Sequence, residues 1–253
     1  MPAETDRLRH RQGAVRIVRG VPYSDRRTTL SLLPGAAVGS WLAGHVDVLT
    51  GRLLDAGCGN QPFREWYTPH VDEVLCLDAA PLEGVDVVGF ADALPFADAT
   101  FDTLLVTEVL EHVGDAEVAV REIHRVLRPG GHALITVPYL YPTHEAPYDF
   151  RRFTHFGLRA LLERHGLEVV ALDAKGGGLL LLAHLFVLSV VTGIDGAWSK
   201  LGGRRPLTGN RVLRPVLAWP QEMAGHRIRA SEGVRGSATR TSLGYMALAR
   251  RPV

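Results

Sequence analysis

Four acidic residues stand at or just past the ends of short apolar runs, where the chain could do chemistry. They are Asp55, Asp78, Asp92 and Glu108. If the runs are parallel strands of one sheet, their carboxyl ends share one edge, and open α/β sheets bind ligands at that edge. A carboxylate there can accept hydrogen bonds from a ribose diol or pair with a cation. A single acid could be a solvated loop residue, but four at successive strand ends predict a ligand site.

The turn after the first of these runs narrows the kind of ligand. Asp55 is followed by Gly57 and Gly59, which allow a tight turn and let a ligand approach the backbone. A dinucleotide fold would need another glycine three residues after Gly59, but Pro62 stands there. An acid before the glycines repels phosphate and suits an ammonium or sulfonium ligand. The turn therefore argues against a nicotinamide oxidoreductase, which is kept as an alternative.

A second group of reactive side chains lies further along the chain. The loop 139–154 is broken by prolines and carries histidine, carboxylate, arginine and aromatic residues. Loops above a rigid sheet edge are where acceptor-binding residues are found, and a hydroxyl acceptor needs a base. The candidate catalytic residues are His144, His112, Glu145 and Asp149, and the candidate acceptor-binding residues are Tyr139, Tyr141, Tyr148 and Arg152. His144, Glu145 and Asp149 match no metal-ligand spacing, so no metal is expected.

The elements that must position these residues alternate between strand and helix. The spacing predicts strands at Val48–Leu54, Glu73–Asp78, Val85–Val88, Phe101–Glu108 and His132–Val137. A helix with Val118, Ile123, Val126 and Leu127 on one face should end at Arg128-Pro-Gly-Gly131. Alternation of this kind indicates a parallel sheet with right-handed crossovers and helices on both faces.

The remaining segments frame this domain. Residues 1–34 are rich in arginine and predict an N-terminal arm or lid, while 35–253 form the main domain with an insertion at about 176–240. Apolar residues between Leu33 and Leu49 predict an amphipathic helix leading into the first strand. A helix around Leu158–Leu162, a sixth strand at Leu167–Leu172 and a last strand at Thr241–Ala249 complete the domain.

Composition limits the function classes. The chain has 253 residues, 22% of them charged, and a formal net charge of +1, so no long-range field favours nucleic acid or an anionic membrane. Two cysteines, Cys58 and Cys76, are too few for a disulfide framework and indicate a reducing compartment. The N-terminal residues show no signal-peptide pattern, so a cytoplasmic enzyme is expected.

One apolar segment leaves three alternatives open. Leu179–Val191 is uninterrupted except for His184 and would form a helix of about 20 Å, short of the roughly 30 Å hydrocarbon core. A buried or homodimer-interface helix is favoured over a helix that docks on a membrane or a lipid-linked acceptor. A membrane span is the least favoured of the three.

Taken together, the motifs resemble a known family. Leu53-Leu-Asp-Ala-Gly-Cys-Gly59, Leu77-Asp78, Ala91-Asp-Ala-Leu-Pro-Phe96, Glu108-Val-Leu-Glu-His112 and Arg125-Val-Leu-Arg-Pro-Gly-Gly131 are similar to class I S-adenosylmethionine-dependent methyltransferases. The likeness covers about residues 35–175, and it departs from the family where Gln61 replaces the usual third glycine. It implies a Rossmann-like seven-stranded sheet, mostly parallel, with an antiparallel last strand inserted between the fifth and sixth.

The resemblance also implies residue roles. Asp55, Gly57 and Gly59 would shape the methionine pocket, Asp78 would take the ribose hydroxyls, and Glu108 would stand near the methionine ammonium. Asp92 and the Ala93 backbone would read the adenine. The remaining cofactor-binding residues would be Ala56, Asn60, Ala79 and Leu94.

The function predicted from the sequence is methyl transfer from S-adenosylmethionine to an oxygen of a small molecule. The run from His144 to Thr154 is similar to methyltransferases of bacterial glycan and natural-product pathways, which points to a sugar, glycan or natural-product acceptor. N- or C-methylation and a non-catalytic, cofactor-binding member of the fold remain alternatives. For His112, a structural role beside the cofactor is favoured over that of a base.

Overall fold

The structure is a computed structural model that describes residues 15–18, 21–24, 32–200 and 241–253. Within these residues the chain forms a short hairpin, one large sheet and helices on both faces of that sheet. The predicted insertion falls largely on residues 201–240, which lie outside the described residues. The hairpin consists of β1, Val15–Val18, and β2, Val21–Ser24, paired antiparallel in the predicted arm.

The large sheet confirms the predicted Rossmann-like fold. Its strands are β3 (Arg52–Ala56), β4 (Glu73–Asp78), β5 (Val87–Val88), β6 (Phe101–Thr107), β7 (Leu127–Pro138), β8 (Glu168–Ala174) and β9 (Gly244–Arg250). The strand order is β5-β4-β3-β6-β7-β9-β8. The pairs from β5 to β7 are parallel, and β9 lies antiparallel between β7 and β8, as predicted.

The middle strands are buried on both faces, which explains the consecutive apolar residues at their centres. Leu53, Leu54, Leu104 and Leu105 are each at most 1% exposed. Alternate residues of a strand pack into different cores: Leu54 and Leu104 join one cluster, while Leu53 and Leu105 join the other. This burial fixes the strands and holds their carboxyl ends at one edge.

The helix before β3 is shorter than predicted. Helix α1, Leu32–Ala43, ends before Gly44, and Val46–Val48 forms a separate turn of 3₁₀ helix. The prediction that Val48 belongs to the first strand is therefore wrong. The chain turns again at Gly51, whose φ of +57° is left-handed, and β3 begins only at Arg52. Gly44 therefore divides the apolar run Leu33–Leu49, whose spacing predicts one continuous helix, and Gly51 separates that run from β3.

The next three helices are short, and two of them are capped by side chains. Helix α2, Arg64–Tyr67, follows the glycine turn, and helix α3, Ala116–Val126, begins where the Asp115 carboxylate accepts a hydrogen bond from Glu117 N at 2.9 Å. Helix α3 ends one residue earlier than predicted, because Leu127-Arg-Pro-Gly-Gly131 already runs in β7. Helix α4, His155–Arg164, is capped by the Thr154 hydroxyl.

Helix α5, Gly178–Lys200, is much longer than its apolar core suggested. Its 23 residues span about 34 Å at 1.5 Å per residue. The window Leu181–Trp198 has a mean hydropathy of 1.6 and is 19% buried, so by length and composition it could cross a membrane. Leu181, His184 and Val187 are buried, whereas Leu182 and Phe186 are 66% and 70% exposed. The helix is thus not buried as a whole, and the dimer and membrane alternatives remain.

Candidate functional site

The glycine turn forms a narrow cradle at the carboxyl end of β3. The backbone N–H groups of Gly57 and Cys58 both donate to Leu77 O, at 2.8 and 3.0 Å, which ties the turn to β4. Gly57 has a φ of +75°, and a Cβ on it would lie 2.4 Å from Val109 Cγ2. The turn therefore requires glycine for both its conformation and its close packing.

Gln61 occupies the place of the missing third glycine. Its φ is +55°, a left-handed conformation that glycine favours. Its side chain compensates by bridging neighbouring segments: Nε2 donates to Glu83 O at 3.1 Å, and Oε1 accepts from Arg64 Nη1 at 2.6 Å. The turn therefore has a conformation that glycine favours, although the residue at this position is Gln61.

Asp55 lies beneath this turn and is 1% exposed. Its Oδ2 accepts a hydrogen bond from the Tyr67 hydroxyl at 2.9 Å, whereas its Oδ1 has no hydrogen-bond partner. Burial, and then the neighbouring Cys76 thiol, raise the pKa of Asp55 to about 8. The carboxyl is therefore mostly neutral at pH 7 until a cationic group comes close.

Asp78 ends β4 and reaches back to the glycine turn. Its Oδ2 accepts from Gly59 N at 2.8 Å and its Oδ1 accepts from Ala80 N at 2.9 Å. A carboxylate oxygen can accept more than one hydrogen bond, so both oxygens keep capacity for a diol. Asn60 follows Gly59 in the turn and is half-buried, whereas Ala79 follows Asp78 and is exposed.

The loop after β5 carries the predicted adenine contacts. Asp92 is half-buried and Ala93 is exposed. Leu94 is 4% exposed, and its N–H and carbonyl are held by Glu122 Oε2 at 2.8 Å and Arg125 Nη2 at 2.9 Å. Leu94 therefore fixes the loop from the core side, and Asp92 and Ala93 are the residues left to face a ligand.

Glu108 at the end of β6 is paired with a lysine that the sequence analysis did not single out. Its Oε1 accepts from Thr136 Oγ1 at 2.7 Å and from the Lys175 ammonium, which is 1% exposed. Burial opposes ionisation, but the Lys175 charge outweighs it and lowers the pKa of Glu108. Lys175 directly follows β8, so its place at the end of a strand was the signal available in the sequence.

Three groups meet beside this strand end. The side chains of Glu111, His112 and His144 place one ligand atom each within 4.8 Å of one another. Glu111 is 0% exposed, and its Oε1 lies 3.6 Å from His112 Nε2 and 3.7 Å from His144 Nε2. The two imidazole rings are 4.8 Å apart and nearly perpendicular. We refer to these three residues as the His–Glu cluster.

Electrostatics within the cluster favour bound positive charge. Burial raises the pKa of the Glu111 carboxyl. Burial alone would lower the pKa of His144, but the neighbouring carboxylates of Glu111 and Asp149 raise it overall. Glu111 is the functional candidate that sequence reasoning missed, although it stands next to His112 in a motif already recognised.

Asp149, one of the predicted catalytic residues, forms an ion pair within the loop. Asp149 is bound bidentately by Arg152, with Nη1–Oδ1 and Nη2–Oδ2 distances of 2.5 and 2.7 Å. This pairing lowers the pKa of Asp149 to about 2, which makes it a weak base. Its Oδ2 also accepts from His144 N at 2.9 Å, which fixes the loop. The arrangement favours Asp149 as a positioning residue.

Arg152 and Glu145 likewise help to shape the loop. The Arg152 guanidinium also donates to Pro142 O at 3.0 Å, so it is committed within the loop and less suited to bind an acceptor. Glu145 has a φ of +53°, and its carbonyl accepts from Tyr148 N at 3.1 Å in a turn. No hydrogen bond or ion pair joins the Glu145 side chain to the His–Glu cluster in the described part of the chain.

Two of the three predicted acceptor-binding tyrosines, Tyr141 and Tyr148, contact the cluster. Tyr141 contacts the His144 ring at 5.3 Å and stacks on His184 of α5 at 5.4 Å, with 19° between the rings. Tyr148 is 47% exposed, and its carbonyl accepts from His112 Nδ1. Tyr139 lies against Tyr245, at 5.5 Å between ring centroids.

Comparison with known proteins decides the family. A family model described as a methyltransferase domain matches residues 54–135. A malonyl-[acyl-carrier protein] O-methyltransferase of Pseudescherichia vulneris is 30% identical over 192 residues, covering 67% of this chain and 75% of that protein. The chain belongs to the class I S-adenosylmethionine-dependent methyltransferase family.

Other relatives match over less of their length. A ubiquinone/menaquinone biosynthesis C-methyltransferase of Klebsiella pneumoniae is 37% identical over 92 residues, 32% of this chain. The chain spans only 36% of the length of that relative. A solved S-adenosylmethionine-dependent methyltransferase of Mesorhizobium loti has a TM-score of 0.51 and 20% identity, covering 87% of this chain and 100% of that one. This last likeness shows the shared fold.

The edge of the sheet fits the cofactor of this family, S-adenosylmethionine. Asp78, which Gly59 N holds against the glycine turn, offers acceptor capacity suited to a ribose diol. The buried, unpartnered Oδ1 of Asp55 is an acceptor suited to a cationic group. These are the residues that would hold the ribose and methionine portions, while the individual contacts predicted from the sequence stay predictions.

Proposed function

We propose that this protein transfers the methyl group of S-adenosylmethionine to a hydroxyl oxygen of a sugar-like or other polyol small molecule. The observation that carries this proposal is the His–Glu cluster beside Glu108 at the cofactor edge of the sheet. A hydroxyl must lose its proton when it attacks a methyl carbon, and a group of imidazoles and a carboxylate can take part in that loss.

On the cofactor side, the protein has to bind S-adenosylmethionine and orient its methyl group. S-adenosylmethionine supplies an activated methyl group on a sulfonium, with S-adenosylhomocysteine as the leaving product. Asp78 would bind the ribose hydroxyls, and Asp55 and the glycine turn would surround the methionine portion. Holding both reactants in line, away from water, supplies much of the rate enhancement in such a reaction.

The acceptor side is assigned to the His–Glu cluster and the loop above it. His112 and His144 have side-chain exposures of 20% and 25%, so a small molecule can reach them, whereas Glu111 lies behind them at 0%. The exposed ring of Tyr148 adds an apolar surface of the kind that packs against sugar rings. The acceptor hydroxyl would give up its proton at this cluster.

O-methylation is preferred over C-methylation for a further reason. The relative that is matched over 192 residues is an O-methyltransferase, whereas the C-methyltransferases from the ubiquinone and menaquinone pathway match over shorter stretches of 92 to 114 residues. The longer match extends over more of the chain that would surround the acceptor. N- and C-methylation are outcomes that the experiment below distinguishes.

The cellular location and the partners of the protein are also part of this proposal. The cysteine usage of the sequence supports a cytoplasmic protein. The exposed apolar residues of α5, which include Leu182 and Phe186, support contact with a membrane carrying a lipid-linked acceptor, or with a second copy of the chain.

The test combines a labelled cofactor with separated measurements of binding and rate. The protein is incubated with S-adenosylmethionine carrying a carbon-13 methyl group and a panel of polyol, amine and carbon acceptors. The chemical shift of the product methyl group distinguishes O-, N- and C-methylation. Methyl transfer to no acceptor, with cofactor binding retained, would support the non-catalytic alternative.

Two variants separate the roles within the site. Asp78→Asn should weaken cofactor binding in calorimetry, because the ribose loses a charged acceptor. His144→Gln should lower the methylation rate by about 100-fold while leaving cofactor affinity nearly unchanged. Equal loss of rate and affinity in His144→Gln would make His144 a structural residue and contradict the assignment.

A further inference from the structure

The Glu111 carboxylate poses a physical problem. It is 0% exposed, and neither of its side-chain oxygens has a hydrogen-bond partner. A buried carboxylate without a partner is costly, and native proteins almost always compensate it. The described groups that face its Oε1 are the Nε2 atoms of His112 and His144, at 3.6 and 3.7 Å.

The hydrogen bonds made by the Nδ1 atoms of the two imidazoles determine whether each Nε2 points an N–H or a lone pair at Glu111. His112 Nδ1 lies 2.7 Å from Tyr148 O, and a carbonyl can only accept, so this nitrogen carries the hydrogen. His144 Nδ1 lies 3.3 Å from both Pro142 O and Asp149 Oδ2, which are acceptors as well. A neutral imidazole has one N–H, so each ring directs the lone pair of its Nε2 toward the carboxylate.

The cluster therefore brings together three groups that offer electron pairs, and positive charge must come from elsewhere. Two histidines and one carboxylate are a known ligand set for divalent transition metals. Metal-binding histidines typically donate their second ring N–H to a carbonyl or carboxylate, and both rings here do so. Asp149 is in turn held by Arg152, which fixes this outer layer.

The distances agree with such a site. Ligand atoms about 2.1 Å from a tetrahedral Zn²⁺ ion are about 3.4 Å from one another. The two separations from Glu111 Oε1, 3.6 and 3.7 Å, are close to that value. All three ligand atoms lie within 4.8 Å of one another, so the two imidazoles would have to move closer together to surround one ion.

We propose that Glu111, His112 and His144 form a binding site for a divalent transition-metal ion of the Zn²⁺ class. Imidazole ligands favour such ions over Mg²⁺ or Ca²⁺, which prefer oxygen. Three protein ligands leave a fourth position open, as in catalytic zinc sites. Because the two histidines are partly exposed, a small molecule could reach the open position from solvent.

The role of the ion rests on the proposed function, although the site itself does not. An acceptor hydroxyl bound at the open position would have its pKa lowered and would lose its proton to solvent. The substrate class is then a hydroxyl compound able to bind a metal ion through oxygen. The competing explanation is a cluster neutralised by an extra proton on one imidazole.

The test measures metal binding directly on the full chain. After treatment with a chelator, the protein is titrated with ZnCl₂ by calorimetry and with CoCl₂ by visible absorbance. We expect one equivalent of each ion and the intense visible band of four-coordinate cobalt. Glu111→Gln and His144→Gln should each weaken binding by about 100-fold or more, since removal of outer partners alone costs about 10- to 100-fold.

The control is His124→Gln, which removes an imidazole from α3, outside the cluster, and should leave metal affinity unchanged. S-adenosylmethionine binding, measured on the same samples, verifies that each variant is folded. Absence of stoichiometric binding by the wild type, or equal binding by wild type and Glu111→Gln, would overturn the metal site. In that case, full methylation by the chelated protein would leave the proposed function standing with a proton-based cluster. Metal uptake without methylation of any acceptor would instead support the metal site and contradict the proposed function.

Discussion

Replacing Asp55 with asparagine should change the stability of the protein in a way that depends on pH. Asp55→Asn keeps the shape of the side chain and the acceptor for the Tyr67 hydroxyl, which lies 2.9 Å from Oδ2, but it cannot ionise. The variant therefore isolates the buried charge. All other titrating groups are shared by the two proteins, and their contributions largely cancel in the difference.

The direction and size of the stability change follow from the raised pKa of Asp55. Asp55 has an ordinary pKa of 3.8 and a folded-state pKa of about 8, so the folded chain holds a proton that the unfolded chain releases between these values. The stabilisation from this proton is fully present below pH 3.8 and is lost as the pH rises through 8. At about 1.4 kcal/mol per pH unit, the wild type should lose roughly 5 kcal/mol relative to Asp55→Asn between pH 4 and pH 8.

The assay is urea denaturation of both proteins at intervals of one pH unit from 4 to 9. The difference in free energy of unfolding should climb in favour of Asp55→Asn across this range and level off near pH 8. A difference that stays constant between pH 5 and pH 8 would refute the reasoning, because it would mean that Asp55 is ionised in the folded chain at neutral pH.

Cofactor binding should also release the proton that Asp55 holds in the folded chain. A cationic group near the unpartnered Oδ1 would lower the pKa of Asp55, so binding at pH 7 should release a proton. Calorimetry in buffers of different ionisation enthalpy detects that release, and Asp55→Asn should abolish it. Equal proton release by the variant would place the titrating group elsewhere.

Three further predictions concern other parts of the site. Glu108→Gln leaves the buried Lys175 ammonium without its carboxylate and should cost about 3 kcal/mol in urea denaturation; the added change Lys175→Met should restore part of that loss. Gly57→Ala, at a φ of +75° and 2.4 Å from Val109 Cγ2, should cost about 2 kcal/mol and weaken cofactor binding in calorimetry, whereas Gly35→Ala, in open space, should not. Asp149→Asn should lower the free energy of unfolding by about 2 kcal/mol at pH 6, because an ionised Asp149 with a lowered pKa stabilises the fold above pH 3.8. In urea denaturation, the difference between wild type and variant should close as the pH falls through 2, and a difference independent of pH would contradict this prediction.

The sequence predicted the cofactor half of the domain well, because its signals are local. The strand Glu73–Asp78 was placed at its observed bounds, since a short apolar run ended by an acid is buried within the sheet and polar at its edge. The antiparallel β9 was placed correctly through the family resemblance, which carries information about pairing that no local pattern contains.

The acceptor side was predicted less well, because its contacts are distant in sequence. The candidates predicted near His144 are Glu145 and Asp149, and Asp149 does lie 3.3 Å from its Nδ1. The carboxylate that faces its Nε2 is that of Glu111, which stands 33 positions earlier in the chain. Spacing along the chain cannot show that two loops meet above the same strand end. The Asp149–Arg152 pair, by contrast, is three residues apart, and its ion pair could have been anticipated from the sequence.

The position of β9 also affects the order in which the chain can fold. β9 fills the gap between β7, which ends at Pro138, and β8, which ends at Ala174, but it begins only at Gly244. During synthesis on the ribosome, β7 and β8 must wait for this strand with their facing edges unpaired. Such edges attract other strands, so the nascent chain passes through a period in which it is most prone to aggregate and most in need of a chaperone.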